Sequence, residues 1–201
     1  MHSILSCCVI AKYHEHTLRI FLEAACQETM EVYRLFKNIV LIGMPGTGKS
    51  TAGVILAKQL GYEYLDTDLL LIKRAGKTLP EIMAESGVDG FLELEGQVGE
   101  SIHCEKCVIA TGGSMVFSEN AMKNLCRQNV VIWLDTDLSV LQERINGSAD
   151  RGIAAAPGAT VAGIYDVRKP LYEKYADFHI LCTGNTDHVV AQIKEAVRLM
   201  I

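Results

Sequence analysis

Residues 43–51 read G-M-P-G-T-G-K-S-T, directly after the apolar run N-I-V-L-I of residues 38–42. The spacing satisfies the phosphate-cradling pattern G-x-x-x-x-G-K-[ST], in which each fixed position has a task. Glycines let the backbone wrap closely and aim N–H groups at phosphate oxygens. Lys49 can reach the β and γ phosphates as a point charge, and the Ser50 hydroxyl can ligate Mg²⁺. The preceding run reads as a buried parallel strand. Residues 51–60 read as a helix with Gly61 as its stop. A strand, a glycine loop and a helix N-terminus in this order form an anion site. The candidate nucleotide-binding set is Gly43, Met44, Pro45, Gly46, Thr47, Gly48, Lys49, Ser50 and Thr51.

Beyond this motif the chain alternates. Strands are expected over 62–65, 107–110, 130–134 and 179–182. Helices are expected over 69–74, 79–86, 91–103, 120–127, 138–145, 161–175 and 187–200, with an interruption at Pro170. Residues 146–157, rich in Gly, Ala and Ser, read as a mobile segment. Strands alternating with helices imply an α/β fold: a five-stranded parallel sheet covered by helices on both faces. Ligands in such sheets sit at the carboxyl ends of the strands. The glycine loop, Asp66 to Asp68, and Gly112 with Gly113 should therefore converge on one rim.

Composition narrows the function classes. The 201 residues suit one domain with an ample core. A net charge of −5 without a basic block argues against nucleic acid as a partner. No run approaches the ~18 apolar residues of a membrane span, and no basic segment precedes the apolar stretch near the start, so a secretory signal is not expected. Seven scattered cysteines suggest reduced thiols in the cytoplasm. Cys104-x-x-Cys107 has redox or half-zinc spacing but lacks a second pair, and reads as free thiols near a strand start. The six histidines show no metal pattern, His14-x-His16 included. Residues 1–37 form an N-terminal extension ahead of the domain at 38–201. Met30 is well spaced to be the true initiator, with 1–29 a mis-called extension. The alternative is a docking helix over about 17–33. A monomer is expected.

Asp66-Thr-Asp68 lies directly after the second strand. One carboxylate can hold Mg²⁺, usually through water, while the other orients or deprotonates an attacking hydroxyl. Helix capping is the simpler role for such a residue, but it needs only one carboxylate.

At this point the chain resembles the shikimate kinase family from residue 38 to about 200. The resemblance rests on ordered motifs: residues 43–51, Asp66 with Asp68, Phe91 with Glu95, A-T-G-G at 110–113, Arg144, Arg151, and R-K-P-L-Y-E at 168–173. It implies the P-loop kinase fold with a mobile lid, and ATP-dependent phosphorylation of a hydroxyl on a small metabolite, with shikimate the leading acceptor and Mg²⁺ the cofactor. It further implies that Asp66 places Mg²⁺ with Ser50, that Asp68 contacts acceptor hydroxyls, and that Gly112 and Gly113 touch the acceptor. Arg144 would pack on adenine, Arg151 would close from the lid onto the phosphates, and Arg168 would grip the acceptor carboxylate. Lys49, Asp68 and Arg151 form the implied catalytic set.

The chain departs from the family pattern in three places. Leu92 stands where the family has an arginine that clamps the shikimate carboxylate. Losing a charge-assisted pair, roughly 1.5–3 kcal/mol, would lower shikimate affinity about 10- to 100-fold. Glu95 would then be an unpaired acid that repels an anionic acceptor and attracts an ammonium group. Ser114 replaces the third glycine of a run facing the acceptor, and residues 152–157 replace the usual Pro-Leu after Arg151. Two other readings follow: a kinase of the same fold with another hydroxylated acceptor, and a nucleotide-binding regulatory module without catalysis. A GTPase is disfavoured, because no Asn-Lys-x-Asp run is present.

Overall fold

A computed structural model describes residues 36–146, 153–155 and 158–198. The expectations for Met30, for a helix over 17–33, for His14 and His16 and for Arg151 fall outside the described residues.

The sheet is built from the most continuously apolar segments. β1 (Asn38–Ile42), β3 (Cys107–Ala110) and β4 (Asn129–Asp135) are buried at every residue. That burial is what both-face coverage of a parallel sheet requires. β2 (Glu63–Asp66) and β5 (Phe178–Leu181) are partly exposed and form the edges, giving the order β2-β3-β1-β4-β5. All pairs are parallel; Ile42 lies opposite Trp133, and Asp66 opposite Ala110. Chain order reverses around β1, so the loop after β1 opens at the switch point where ligands bind such sheets.

The helices are α1 (Lys49–Leu60), α2 (Thr67–Ala75), α3 (Leu79–Glu100), α4 (Glu119–Cys126), α5 (Leu138–Asn146), α6 (Val161–Tyr175) and α7 (Thr186–Arg198). α1 stops at Gly61, which is left-handed at φ 67° and donates its N–H to Ala57 O. α3 starts with a capping box in which Thr78 and Glu81 each satisfy the other's backbone N–H.

Within α3, the two helices expected over 79–86 and 91–103 are separated at Gly87, whose backbone is not helical (φ 68°, ψ −175°), and the second ends at Glu100. One expectation needs correction. α6 runs through Pro170 without interruption. Pro170 and Asp166 are both exposed, so the carbonyl left without an N–H partner is open to water. The opposite face fixes the helix. Tyr165, Arg168 and Tyr172 recur at helical spacing. The Tyr165 hydroxyl donates to both oxygens of Asp135 at 3.2 Å, and Tyr172 donates to Gly113 O at 2.7 Å.

The core lies on both faces of β1, β3 and β4. Trp133 stacks on Tyr172 at 5.8 Å and on His179 at 4.0 Å. His179 Nε2 is 3.1 Å from Asp135 Oδ2, so one buried acid at the end of β4 ties β5 and α6 together. Cys104, Cys107 and Cys182 carry free thiols, and burial pushes the Cys107 thiol up to about 12. No helix among the described residues is long and apolar enough to cross a membrane.

The rim opposite the glycine loop is held by one side chain. Asn38 Nδ2 donates to Cys104 O (2.8 Å) and to Asn129 Oδ1 (3.0 Å), and its Oδ1 accepts from Cys107 N (3.0 Å). Asn38 is 4 % exposed, so truncation strands buried partners without access to water. Asn38→Ala is expected to lower stability by about 2–4 kcal/mol, measured as a lower urea midpoint with an unchanged m-value.

Candidate active site

The loop after β1 wraps because its glycines occupy positions closed to other residues. Gly43 has φ 141°, and a Cβ there would lie 2.3 Å from Leu134 O at the end of β4. Gly46 (φ 86°) and Gly48 (φ 94°) are left-handed, which turns the loop into the first turn of α1. Lys49 Nζ donates to Gly43 O (2.8 Å) and Met44 O (2.7 Å). Burial lowers the Lys49 pKa to about 8; Asp68 and Asp66 pull it back up while Arg168 pushes it further down. An incoming phosphate would favour the charged amine by the same electrostatics.

Beside the loop, Asp66 ends β2 and caps α2. Its Oδ1 accepts from Asp68 N at 3.0 Å; its Oδ2 accepts from Ser50 Oγ at 2.8 Å and from Tyr64 OH at 2.9 Å. Capping and metal binding are thus compatible here, since one oxygen caps and the other faces Ser50. A hydroxyl and a carboxylate at a helix N-terminus are hard oxygen donors, a set that fits Mg²⁺ with most of its waters retained. Among the described residues no group of three or more His, Cys, Asp or Glu is placed to hold a metal.

A cavity of about 310 Å³ opens between this corner and the third strand, lined by Lys49, Asp68, Glu95, Gly112, Gly113 and Arg168 among others. The glycines are required by what packs on them. A Cβ at Gly112 would lie 2.0 Å from Glu95 Oε1 and 2.7 Å from Asp68 Oδ1. One at Gly113 would lie 2.6 Å from Pro45 Cδ and 2.9 Å from Arg168 Nη1. Thr67 holds this turn by accepting from Gly112 N at 2.8 Å. Arg168 is 2 % exposed, donates to Ala154 O at 2.7 Å and lies 5.7 Å from the Phe117 ring centre. It is therefore a buried cation of the cavity rather than one arm of a surface ion pair.

A second cavity, of about 340 Å³, flanks the other side of the loop and is lined by Gly46, Thr51, Arg144, Cys182, Asn185 and Val189 among others. Arg144 donates to Gly46 O at 2.8 Å. Burial pushes the Cys182 thiol up to about 11, so it is a neutral wall.

Glu95 differs from the expected unpaired acid. Ser114 Oγ donates to Glu95 Oε2 at 2.6 Å. Ser114 itself sits at φ −99°, where serine has no backbone penalty. The two departures, at 92 and 114, are thus joined: the acid that has no arginine at 92 is held by the serine at 114. Leu92 packs with Leu71, Ile82 and Phe91 in an apolar cluster. Burial pushes Glu95 up to about 7, with Asp68 adding to the rise, against Ser114, Arg168 and Lys49.

Among the residues expected at the site, Pro45, Gly46, Thr47, Gly48, Lys49, Ser50, Thr51, Asp68, Gly112, Gly113, Arg144 and Arg168 line one or both of these cavities, whereas Gly43, Met44 and Asp66 line neither and the Met44 side chain is buried in the core. Tyr64, Thr67 and Tyr172 were not expected as supports. Tyr64 had a signal, since residues two apart on a strand share a face and Tyr64 precedes Asp66 by two. Thr67 and Tyr172 act through backbone contacts to Gly112 and Gly113, which no local pattern announces.

A family model for shikimate kinase matches residues 45–198. A shikimate kinase of Thermodesulfovibrio yellowstonii is 38 % identical over 168 residues, covering 81 % of this chain and 96 % of that protein. One from Synechococcus elongatus is 36 % identical over 153 residues, covering 75 % and 80 %. Among solved structures, the shikimate kinase of Acinetobacter baumannii in complex with shikimate superposes with a TM-score of 0.74 at 26 % identity, covering 83 % of this chain and 96 % of that one. That of Aquifex aeolicus gives 0.65 at 27 % identity, covering 80 % and 96 %.

The buried acid has a consequence for stability. Its pKa rises from 4.5 to about 7 on folding, so between these values the native state keeps a proton that the unfolded chain has released. The contribution is whole below about pH 4.5 and is lost as pH rises through about 7. The ligand-free protein should lose roughly 2–4 kcal/mol across this window from Glu95 alone. Urea unfolding at several pH values should show that fall, and Glu95→Gln should flatten it.

Proposed function

The chain belongs to the shikimate kinase family, and we propose that it transfers the γ-phosphoryl group of ATP to a hydroxyl of shikimate through the residues of the two cavities. The observation that carries this reading is the single cavity in which Lys49, Asp68 and Arg168 meet beside the phosphate loop.

In this reading the N–H groups of residues 43–51 and the Lys49 ammonium hold the β and γ phosphates, because the loop aims donors inward and the helix dipole favours anions. The adenine lies in the second cavity against Arg144. Ser50 and Asp66 hold Mg²⁺, which when bound offsets charge on the phosphate oxygens. Arg168 pairs the acceptor carboxylate, and the backbone of Gly112 and Gly113 bounds the acceptor face. Asp68 orients the acceptor hydroxyl and takes its proton as the new O–P bond forms and the bond from phosphorus to the β-phosphate bridging oxygen breaks. Arg151, from the lid, adds the last cation over the phosphates and helps exclude water, which would otherwise accept the phosphoryl group. The free thiols suit a reducing cytoplasm.

A second reading is a kinase for a different hydroxylated acceptor. It is favoured by Leu92, which leaves Arg168 as the sole cation on the acceptor carboxylate among the described residues lining the cavity. Incubation with ATP, Mg²⁺ and shikimate, followed by ³¹P NMR of the product, separates the two. Formation of a shikimate phosphate ester supports the first. Inertness toward shikimate with turnover of another hydroxy acid or amino alcohol supports the second. Tight ATP binding with no phosphorylated product from any acceptor would indicate a regulatory module.

Lys49→Ala is expected to lower kcat at least about 100-fold, the scale of losing a positioned charge in a transition state. The far-ultraviolet circular dichroism should be unchanged. A wild-type rate would remove Lys49 from the mechanism.

A further inference from the structure

Glu95 presents one carboxyl oxygen that nothing among the described residues satisfies. Oε2 accepts from Ser114 at 2.6 Å, whereas Oε1 is buried and has no hydrogen-bond partner among the described residues. The side chain lines the same cavity as Asp68 and Arg168 and is 2 % exposed. A polar atom in that state is costly unless a ligand completes it.

Its position says which part of a ligand that is. Oε1 and Asp68 Oδ1 both crowd the bare Cα of Gly112, at 2.0 Å and 2.7 Å from the point where a Cβ would stand. Both acid oxygens face the same glycine and both side chains line the cavity, so one molecule lying on Gly112 can meet both. We propose that Glu95 is a specificity-determining residue that binds the acceptor directly, its Oε1 hydrogen-bonded to the hydroxyl adjacent to the one Asp68 holds. Ser114 fixes the other oxygen and so aims Oε1. This rests on the kinase reading above and deepens it: the acceptor is a vicinal diol that also carries an anion for Arg168.

A pH signature follows. The charged groups facing Glu95 are Asp68 from α2, Arg168 from α6 and Lys49 from α1. With Ser114 donating to Oε2, a proton on Glu95 resides on Oε1, where it can donate to the acceptor hydroxyl. An anionic acceptor in the closed cavity favours that neutral form. Free Glu95 is half-protonated at about 7. Acceptor affinity is therefore level below that pH and weakens above it, by about tenfold per pH unit.

The test is steady-state kinetics at saturating Mg²⁺ and ATP with shikimate and with its analogue lacking the hydroxyl next to the phosphorylated one. It compares wild type, Glu95→Gln, Glu95→Ala and Ser114→Ala from roughly pH 5.5 to 9. Thermal unfolding and ATP affinity confirm that each variant is folded. Wild type should prefer shikimate over the analogue by about tenfold or more in kcat/KM, a preference that Glu95→Ala loses. The wild-type KM should rise above neutrality, Glu95→Gln should remove the rise, and Ser114→Ala should move it to higher pH, since the serine hydroxyl holds the Glu95 pKa down. Shikimate turnover with the same KM profile and the same analogue preference in wild type and Glu95→Ala overturns this role alone. Absence of shikimate turnover at every pH overturns the kinase reading with it.

Discussion

Bare backbone at Gly112 and Gly113 is the constraint on which the site depends. Carboxyl oxygens of Asp68 and Glu95 press on the first glycine, and the Arg168 guanidinium and the Pro45 ring press on the second. Four elements, α2, α3, α6 and the phosphate loop, thereby reach one point at the end of β3. A methyl group at either position would push charged or ring atoms apart by more than close-packed protein tolerates. The supports act on the same segment: Thr67 accepts its N–H, and Tyr172 donates to its carbonyl. The turn after β3 is thus the plane against which an acceptor is measured.

Charge in this cavity is balanced rather than summed. Lys49 and Arg168 are buried cations, each 7 % exposed or less, and a cation without a counter-charge there would be costly. Asp68 and Asp66 supply negative charge near Lys49. Glu95 is buried so fully that a proton near neutrality substitutes for a partner. This explains how a family arginine can be lost at 92 without leaving a bare carboxylate. The helix face at Leu92 joined the apolar cluster, and the acid turned to a serine from the strand side.

The fold was largely legible because its signals are local and strong. A continuous apolar strand, a glycine loop and a helix stopped by glycine fix the first unit, and the same alternation repeats to the end. The one misreading is equally physical. Pro170 removes one helix bond, but the carbonyl it leaves is open to water and the opposite face is packed, so the helix continues through it. Of the site, Lys49, Ser50, Asp66, Asp68 and Arg168 were legible from spacing and resemblance. Their supports were not, because Tyr172, Thr67 and Ser114 act on residues 59, 45 and 19 positions away.

By itself the sequence determined the parallel sheet, the phosphate loop and the acids after β2. Each of these follows from short-range sterics and periodicity: glycine at positive φ, apolar runs and helix stops. Only the tertiary structure decided that the departures at 92 and 114 meet in one buried acid, and that Arg168 lies inside rather than on the surface. The reason is that burial and partner choice belong to the packing of distant elements. A carboxyl group's charge and its free oxygen are set by what surrounds it, which a linear pattern does not contain.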